Sequence, residues 1–93
     1  MTETRDARLR RLRMRAWRRG TREMDLILGP FAEARLGAFD AAGLDAFEAL
    51  LDESDPDLAL WLLGRVEPPA AHAALLAALR GFAEARLAAI RRI

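Results

Sequence analysis

The chain has no cysteine, no lysine and a single histidine, His72. Without cysteine there is neither a disulfide nor a thiolate nucleophile, and one histidine leaves almost no material for a metal cluster or a Ser-His-Asp arrangement. An enzyme active site of the usual metabolic kind is not expected. All 15 basic residues are arginine, which a GC-rich coding bias also produces, so the choice of arginine is not read as selection for phosphate. Long apolar runs are missing too. Nothing approaches the roughly 20 residues of a membrane span, and the N-terminus has no signal-peptide core. Arg-rich amphipathic beginnings also mark mitochondrial transit peptides, but here Glu3 and Asp6 interrupt the charge and no serine accompanies it. The expectation is a cytoplasmic chain without membrane insertion.

What is present suits one helical domain over residues 1–93, with its core at about 8–82. The 93 residues are 53% apolar with only six aromatics, which points to a core of Leu, Ala, Phe and Ile. A chain of this size buries roughly 60–65% of its unfolded surface, too little to enclose a large cofactor cavity, so function is expected on the surface. The formal charge of +1 hides an asymmetry. Residues 1–23 carry nine arginines against three acids, and the rest carry six against eleven, so the domain is a dipole with a basic end.

Periodicity and punctuation predict five helices and no strand, an all-α compact bundle. The first helix runs from about Thr4 to Arg19, with Leu9, Leu12 and Ala16 on one face and Arg8, Arg11, Arg15 and Arg18 opposite, as a solvated face or a binding stripe. Gly20 stands at its C-cap and Thr21 at the next N-cap. The second helix, about Arg22 to Leu36, aligns Met24, Ile27, Leu28 and Phe31, and Gly29-Pro30 is expected to break or kink it. Asp40 caps a third helix reaching Asp52, with Leu44, Phe47, Leu50 and Leu51 inside. Asp55-Pro56 reads as a capped start for a fourth, with Leu58, Trp61 and Leu62 inward and Gly64 at its end. A last helix begins near Ala70, with Ala71, Leu75, Ala78, Phe82, Ala85 and Ala89 as its buried stripe.

The candidate functional site is the junction Arg19-Gly20-Thr21-Arg22-Glu23. Gly20 allows φ > 0 and lets a partner backbone approach. Arg19 offers a planar fork of donors to a partner carboxylate, carbonyl or phosphate. Glu23, at a helix N-terminus, is favoured by the dipole and can accept from Arg19 or from a partner. Leu26 lies out of phase with its helix's apolar stripe, as a small anchor for a partner or as a residue covered by a neighbouring helix. Leu60, Leu63 and Leu87 are surplus apolar residues that a neighbour chain or the bundle itself would cover. Trp61 falls in phase with the core, and His72 reads as a plain surface or boundary histidine. A basic helix, a turn and a second helix also suggest nucleic-acid binding. The second helix has more acids than arginines, however, so only nonspecific contact through the first would remain. A small nucleic-acid-binding or antitoxin-like interaction module is the alternative reading.

Arg18-Arg19-Gly20-Thr21-Arg22-Glu23-Met24-Asp25, then Phe31, Leu50-Leu51, Asp55-Pro56-Asp57-Leu58 and Trp61-Leu62 together resemble the succinate dehydrogenase assembly factor E and mitochondrial assembly factor 2 family. The resemblance covers about residues 8–70 and includes that family's Arg-Gly-x-x-Glu; the Ala-rich helix from Ala70 departs from it. The resemblance implies a non-catalytic factor that promotes covalent attachment of FAD to the flavoprotein subunit of succinate dehydrogenase, and in some bacteria of fumarate reductase. A histidine of the subunit bonds to the flavin's 8-methyl carbon, and the factor holds the subunit in a competent geometry. The residues implied to meet the partner are Arg18, Arg19, Gly20, Arg22, Glu23, Asp25 and Leu26. The resemblance further implies no stably bound cofactor, no nucleic-acid partner, a monomer when free and, in a eukaryote, a place in the mitochondrial matrix.

Overall fold

In the computed structural model, which describes residues 2–91, the helices are α1 (Arg5–Trp17), α2 (Arg22–Arg35), α3 (Ala41–Leu51), α4 (Asp55–Leu62) and α5 (Ala70–Arg91). A 3-10 turn, Leu36–Ala38, follows α2, and there is no strand among the described residues. Local chemistry sets most boundaries. Thr4 accepts the Ala7 amide at 3.1 Å and Asp40 accepts the Gly43 amide at 2.8 Å, each satisfying a donor that the helix start would leave orphaned. The fourth helix departs from expectation: Ser54, not Asp55, is the N-cap, accepting from the Asp57 amide at 3.3 Å. Asp55 and Pro56 lie inside the first turn, and the carboxylate is free for another task. Gly64, at φ +70°, ends α4 as expected.

α2 runs as one helix through Gly29-Pro30, so the stretch is not broken there. Gly29 is buried beneath the indole of Trp17, and a Cβ there would lie 2.3 Å from the ring. The glycine therefore serves the approach of α1 to α2, and the indole Nε1 donates to Glu33 at 3.2 Å beyond it.

The core is continuous through all five helices, from Leu9, Leu12 and Ala16 of α1 to Leu76 and Leu79 of α5. All four phenylalanines meet in it. Phe31 stacks on Phe47 and takes Phe39 and Phe82 edge-on, with centroids 5.5–6.1 Å apart, geometry that satisfies the ring quadrupoles. Met24, Leu28 and Phe31 are buried as expected, with Ile27 partly covered, and Trp61 belongs to the core at 7% exposure. The expected stripe of α5 is corrected. Leu76 and Leu79 are buried with Leu75 and Phe82 beside them, whereas Ala71, Ala78, Ala85 and Ala89 are exposed. Leucine and phenylalanine remove far more apolar area from water than alanine, so they choose which way the helix turns.

Three of the four arginines on the outer face of α1 are drawn into surface ion pairs, and Arg18 alone of the four is left without one among the described residues. Arg8 pairs with Asp45 and Glu48, Arg11 with Glu3 and Glu48, and Arg15 with Asp52, at 2.6–3.1 Å. Part of the positive end of the sequence is thus matched by acids on and just after α3, and Arg5 ties the same helix to the carbonyls of Gly37 and Phe39. Hydrogen bonds from Arg11, and secondarily from Arg8, hold the Glu48 carboxyl below its ordinary range; Arg11 does the same to Glu3. A carboxyl whose folded pKa lies below its unfolded value stabilises the fold above that unfolded value, and the contribution is lost as pH falls through the folded one. The Tm is therefore expected to fall more steeply for the wild type than for Glu48→Gln between about pH 5 and pH 3, the two curves converging at the acid end. Parallel Tm curves would show that this pairing is uncoupled from folding.

Candidate functional site

The Arg-Gly-x-x-Glu junction is built by contacts to a part of the chain more than thirty residues away. After Trp17 the chain leaves α1, and Arg18, not the expected Gly20, is its C-cap, with the Arg18 amide bonded to the Arg15 carbonyl at 3.2 Å. Gly20 then adopts φ +106° with nothing within 4 Å of where a Cβ would stand, so its requirement is the backbone conformation, which L side chains resist. Thr21 occupies the N-cap position of α2, but its side chain does not cap. Its hydroxyl donates instead to Asp55 Oδ2 at 2.8 Å.

Arg19 is turned inward. Its Nε donates to Asp55 Oδ1 at 2.9 Å, and Nη1 and Nη2 donate to the carbonyls of Leu51 and Glu53. Both side chains of the Arg19–Asp55 pair are only 10% exposed. The guanidinium thereby takes up carbonyls that the end of α3 leaves without helical partners, and Asp55 receives both Arg19 and Thr21. Asp25, half-buried, accepts the Arg19 amide at 2.6 Å. The expectation that Arg19 presents its fork to a partner or a flavin phosphate is corrected: the fork is engaged within the chain. The expected Arg19–Glu23 contact is likewise absent from the described hydrogen bonds.

Arg18, Gly20, Thr21, Arg22, Glu23 and Leu26 are left on the surface. The side chains of Arg18, Arg22 and Glu23 make no hydrogen bond or ion pair among the described residues, and Leu26 is 53% exposed. A compact internal hub of Arg19, Asp25 and Asp55 thus supports an outer face of two unpaired cations, one unpaired acid, a bare glycine and a leucine. Beside Glu23, an open hollow of about 430 Å³ lies between α2, α4 and α5.

The residues that build this junction lie within a stretch that matches a known family. The family described as "Flavinator of succinate dehydrogenase" matches residues 10–83. The chain belongs to that family. Among its relatives, the FAD assembly factor SdhE of Acetobacter pasteurianus is 44% identical over 63 residues, 68% of this chain and 58% of that protein. The mitochondrial succinate dehydrogenase assembly factor 2 of Schizosaccharomyces pombe is 40% identical over 67 residues, 72% of this chain and 48% of that protein. The FAD assembly factor SdhE of Vibrio cholerae is 41% identical over 49 residues, 53% of this chain and 57% of that protein. The chain spans about half the length of the first two of these relatives. The family match continues into α5 as far as residue 83, beyond the end of the resemblance read from the motifs.

Sequence reasoning missed Asp55 as the acceptor of this flavinator-family motif, because an acid before proline is so often a cap. It also missed Trp17, whose partner Gly29 looked like a helix breaker, and Arg80, which reaches from α5 to the carbonyls of Trp61 and Leu62 at 2.8 and 3.3 Å. One signal was available for Asp55: the Asp-Pro segment belongs to the same family pattern as the arginine it receives. His72 is a boundary residue, 5.8 Å from Trp61 by ring centroids and 3.5 Å from Glu53. No helix among the described residues is long and apolar enough to cross a membrane.

Proposed function

We propose that this chain promotes covalent attachment of FAD to the flavoprotein subunit of succinate dehydrogenase by docking onto that subunit and ordering it, without itself catalysing the reaction. The observation that carries this reading is the division of the motif into a locked interior and an unpaired exterior. Arg19 and Asp55 fix the backbone of residues 18–22, so Gly20, Arg22 and Glu23 are presented without the entropy cost of ordering them on binding. Arg18 and Arg22 suit acids on the partner, Glu23 suits a base, Gly20 admits close backbone approach, and Leu26 supplies an apolar contact. Asp25 contributes by holding the junction.

The flavin belongs with the partner in this proposal. The donor fork best suited to a flavin phosphate, that of Arg19, is already engaged, and the hollow next to the motif has an acidic rim at Glu23 and Glu84. FAD supplies the electrophilic 8-methyl carbon and the subunit supplies the histidine; the factor holds the subunit so that the two meet. A fumarate reductase flavoprotein with the same contact surface would be served in the same way. The free factor is a monomer in this reading. Nucleic-acid binding is not favoured, because Arg8, Arg11 and Arg15 are paired with α3.

Covalent flavin fluorescence of the subunit in a denaturing gel tests this. Cells lacking the chain, or carrying Gly20→Arg or Glu23→Ala, are expected to lose the band, while purified Glu23→Ala keeps the wild-type Tm. Full covalent flavin in the deletion strain would overturn the function, and full flavin in both variants would overturn the site.

A further inference from the structure

Gly20 is the hinge of the motif. Glycine loses more conformational freedom on ordering than any other residue, and nothing lies within 4 Å of where a Cβ at Gly20 would stand. Packing against that position therefore does not fix the turn. The chain is anchored before it, where Arg19 donates from Nε to Asp55 Oδ1 at 2.9 Å and from its amide to Asp25 at 2.6 Å. It is anchored again after it, where Met24 enters the core at 5% exposure. Between these anchors lie Gly20, Thr21, Arg22 and Glu23, all exposed. Of the four, Thr21 alone has a side-chain hydrogen bond among the described residues, from its hydroxyl to Asp55 Oδ2 at 2.8 Å.

We propose that Thr21 is a positioning residue for docking: its hydroxyl closes the far side of the Gly20 turn onto the carboxylate that holds the near side, and so orders Arg22 and Glu23 before the partner arrives. The inference rests on the docking role proposed above and assigns a part in it to a position that the Arg-Gly-x-x-Glu pattern leaves unspecified. Threonine is favoured at an N-cap because its oxygen accepts from the first amides of the helix. At the N-cap of α2 it makes no such bond, and the hydroxyl is turned to Asp55 instead. Asp55 is a fixed acceptor, since it lies in the first turn of α4 with its side chain 10% exposed, and hydrogen bonds to a carboxylate are among the stronger kind. A tie at Arg19 alone would leave the following chain free to turn about φ and ψ of Gly20. Two ties to one carboxylate, one from each side of the glycine, remove that freedom. Arg22 and Glu23 follow Thr21 directly, so the order it imposes reaches both charges of the outer face.

The test compares the wild-type chain with Thr21→Val and Thr21→Ser, first free and then titrated against the purified flavoprotein subunit before flavin attachment. Valine keeps the shape and branching of threonine and removes no cap, so the variant is expected to fold. In the free wild type, backbone amide order parameters at Gly20, Thr21 and Arg22 are expected near the rigid value of about 0.85, falling toward about 0.6 in Thr21→Val while those of Leu28 and Leu50 stay unchanged. The Kd of Thr21→Val for the subunit is expected to weaken about fivefold or more, because the freedom regained at the turn must be lost again on binding. Thr21→Ser restores the hydroxyl and is expected to recover the order parameters and a Kd within about twofold of wild type. Unchanged order parameters in Thr21→Val would overturn the positioning role whatever the subunit does, and weaker binding alongside them would mean that the hydroxyl meets the subunit itself. Lowered order parameters with a wild-type Kd would overturn the link between order and docking. A wild-type chain that does not bind the subunit would overturn the docking role and this inference with it, an outcome that the order parameters of the free chain keep distinct from a failure of the Thr21 tie.

Discussion

Replacing Arg19 with leucine is expected to remove about 3–5 kcal/mol of folding stability, the range for breaking a buried ion pair from one side. The substitution leaves Asp55, 10% exposed, without its main counter-charge, and leaves the carbonyls of Leu51 and Glu53 without the donor that takes them up. Unsatisfied buried acceptors carry their full desolvation cost, so the loss exceeds what a surface pair would give. In a domain of this size each kcal/mol moves Tm by roughly 4–8 °C, so a fall of about 12 °C or more is expected in a thermal melt. Arg19→Lys keeps the charge but has no planar fork for three acceptors, and should fall between. This separates Arg19 from Glu23, although both belong to the same motif. Arg19→Leu lowers covalent flavin through the fold, and Glu23→Ala lowers it with the fold intact. An Arg19→Leu variant with wild-type Tm and no covalent flavin would mean that the fork meets the partner after all.

Gly29→Ala is expected to destabilise the domain by about 1–2 kcal/mol, although alanine in a helix interior is favoured over glycine by up to about 1 kcal/mol. The opposing effect is steric. The new Cβ would meet the Trp17 ring at 2.3 Å, a distance that a shift of a few tenths of an ångström does not relieve, and overpacking of this kind costs about 1–3 kcal/mol. The ring would move off α2 and lose its contact with Glu33. In a Trp17→Ala background the clash is gone, so the same Gly29→Ala change is expected to stabilise. A double-mutant cycle by urea denaturation reads this reversal of sign, and equal effects in the two backgrounds would show that Trp17 does not set the requirement for glycine.

The cap at Asp40, the stop at Gly64 and the positive-φ glycine of the motif were legible because each depends on residues within one turn of itself. The stripes of α1 and α3 were legible because leucine and phenylalanine alone mark them. Where alanine fills a helix the pattern loses contrast, and the face of α5 was read one position away from Leu76 and Leu79. The steric role of Gly29 was hidden for a related reason: a glycine has the same local signature whether it loosens a helix or admits a ring from a neighbour.

The site divides along the same line. That residues 18–25 form the candidate junction followed from motif and spacing. Which of them face outward did not, because Arg19 is satisfied by acceptors 32 to 36 positions along the chain. The pairing of α1's arginines with α3's acids was hidden likewise, since net charge along a sequence does not say which charges will face each other. Helix class, helix order and the location of the motif are thus properties of the sequence itself, set by backbone preferences and side-chain periods that act over a few residues. Which charges are internal, which glycine is steric and which leucines remain open to a partner were decided by the tertiary structure, because each depends on packing and hydrogen bonds between helices that only folding brings together.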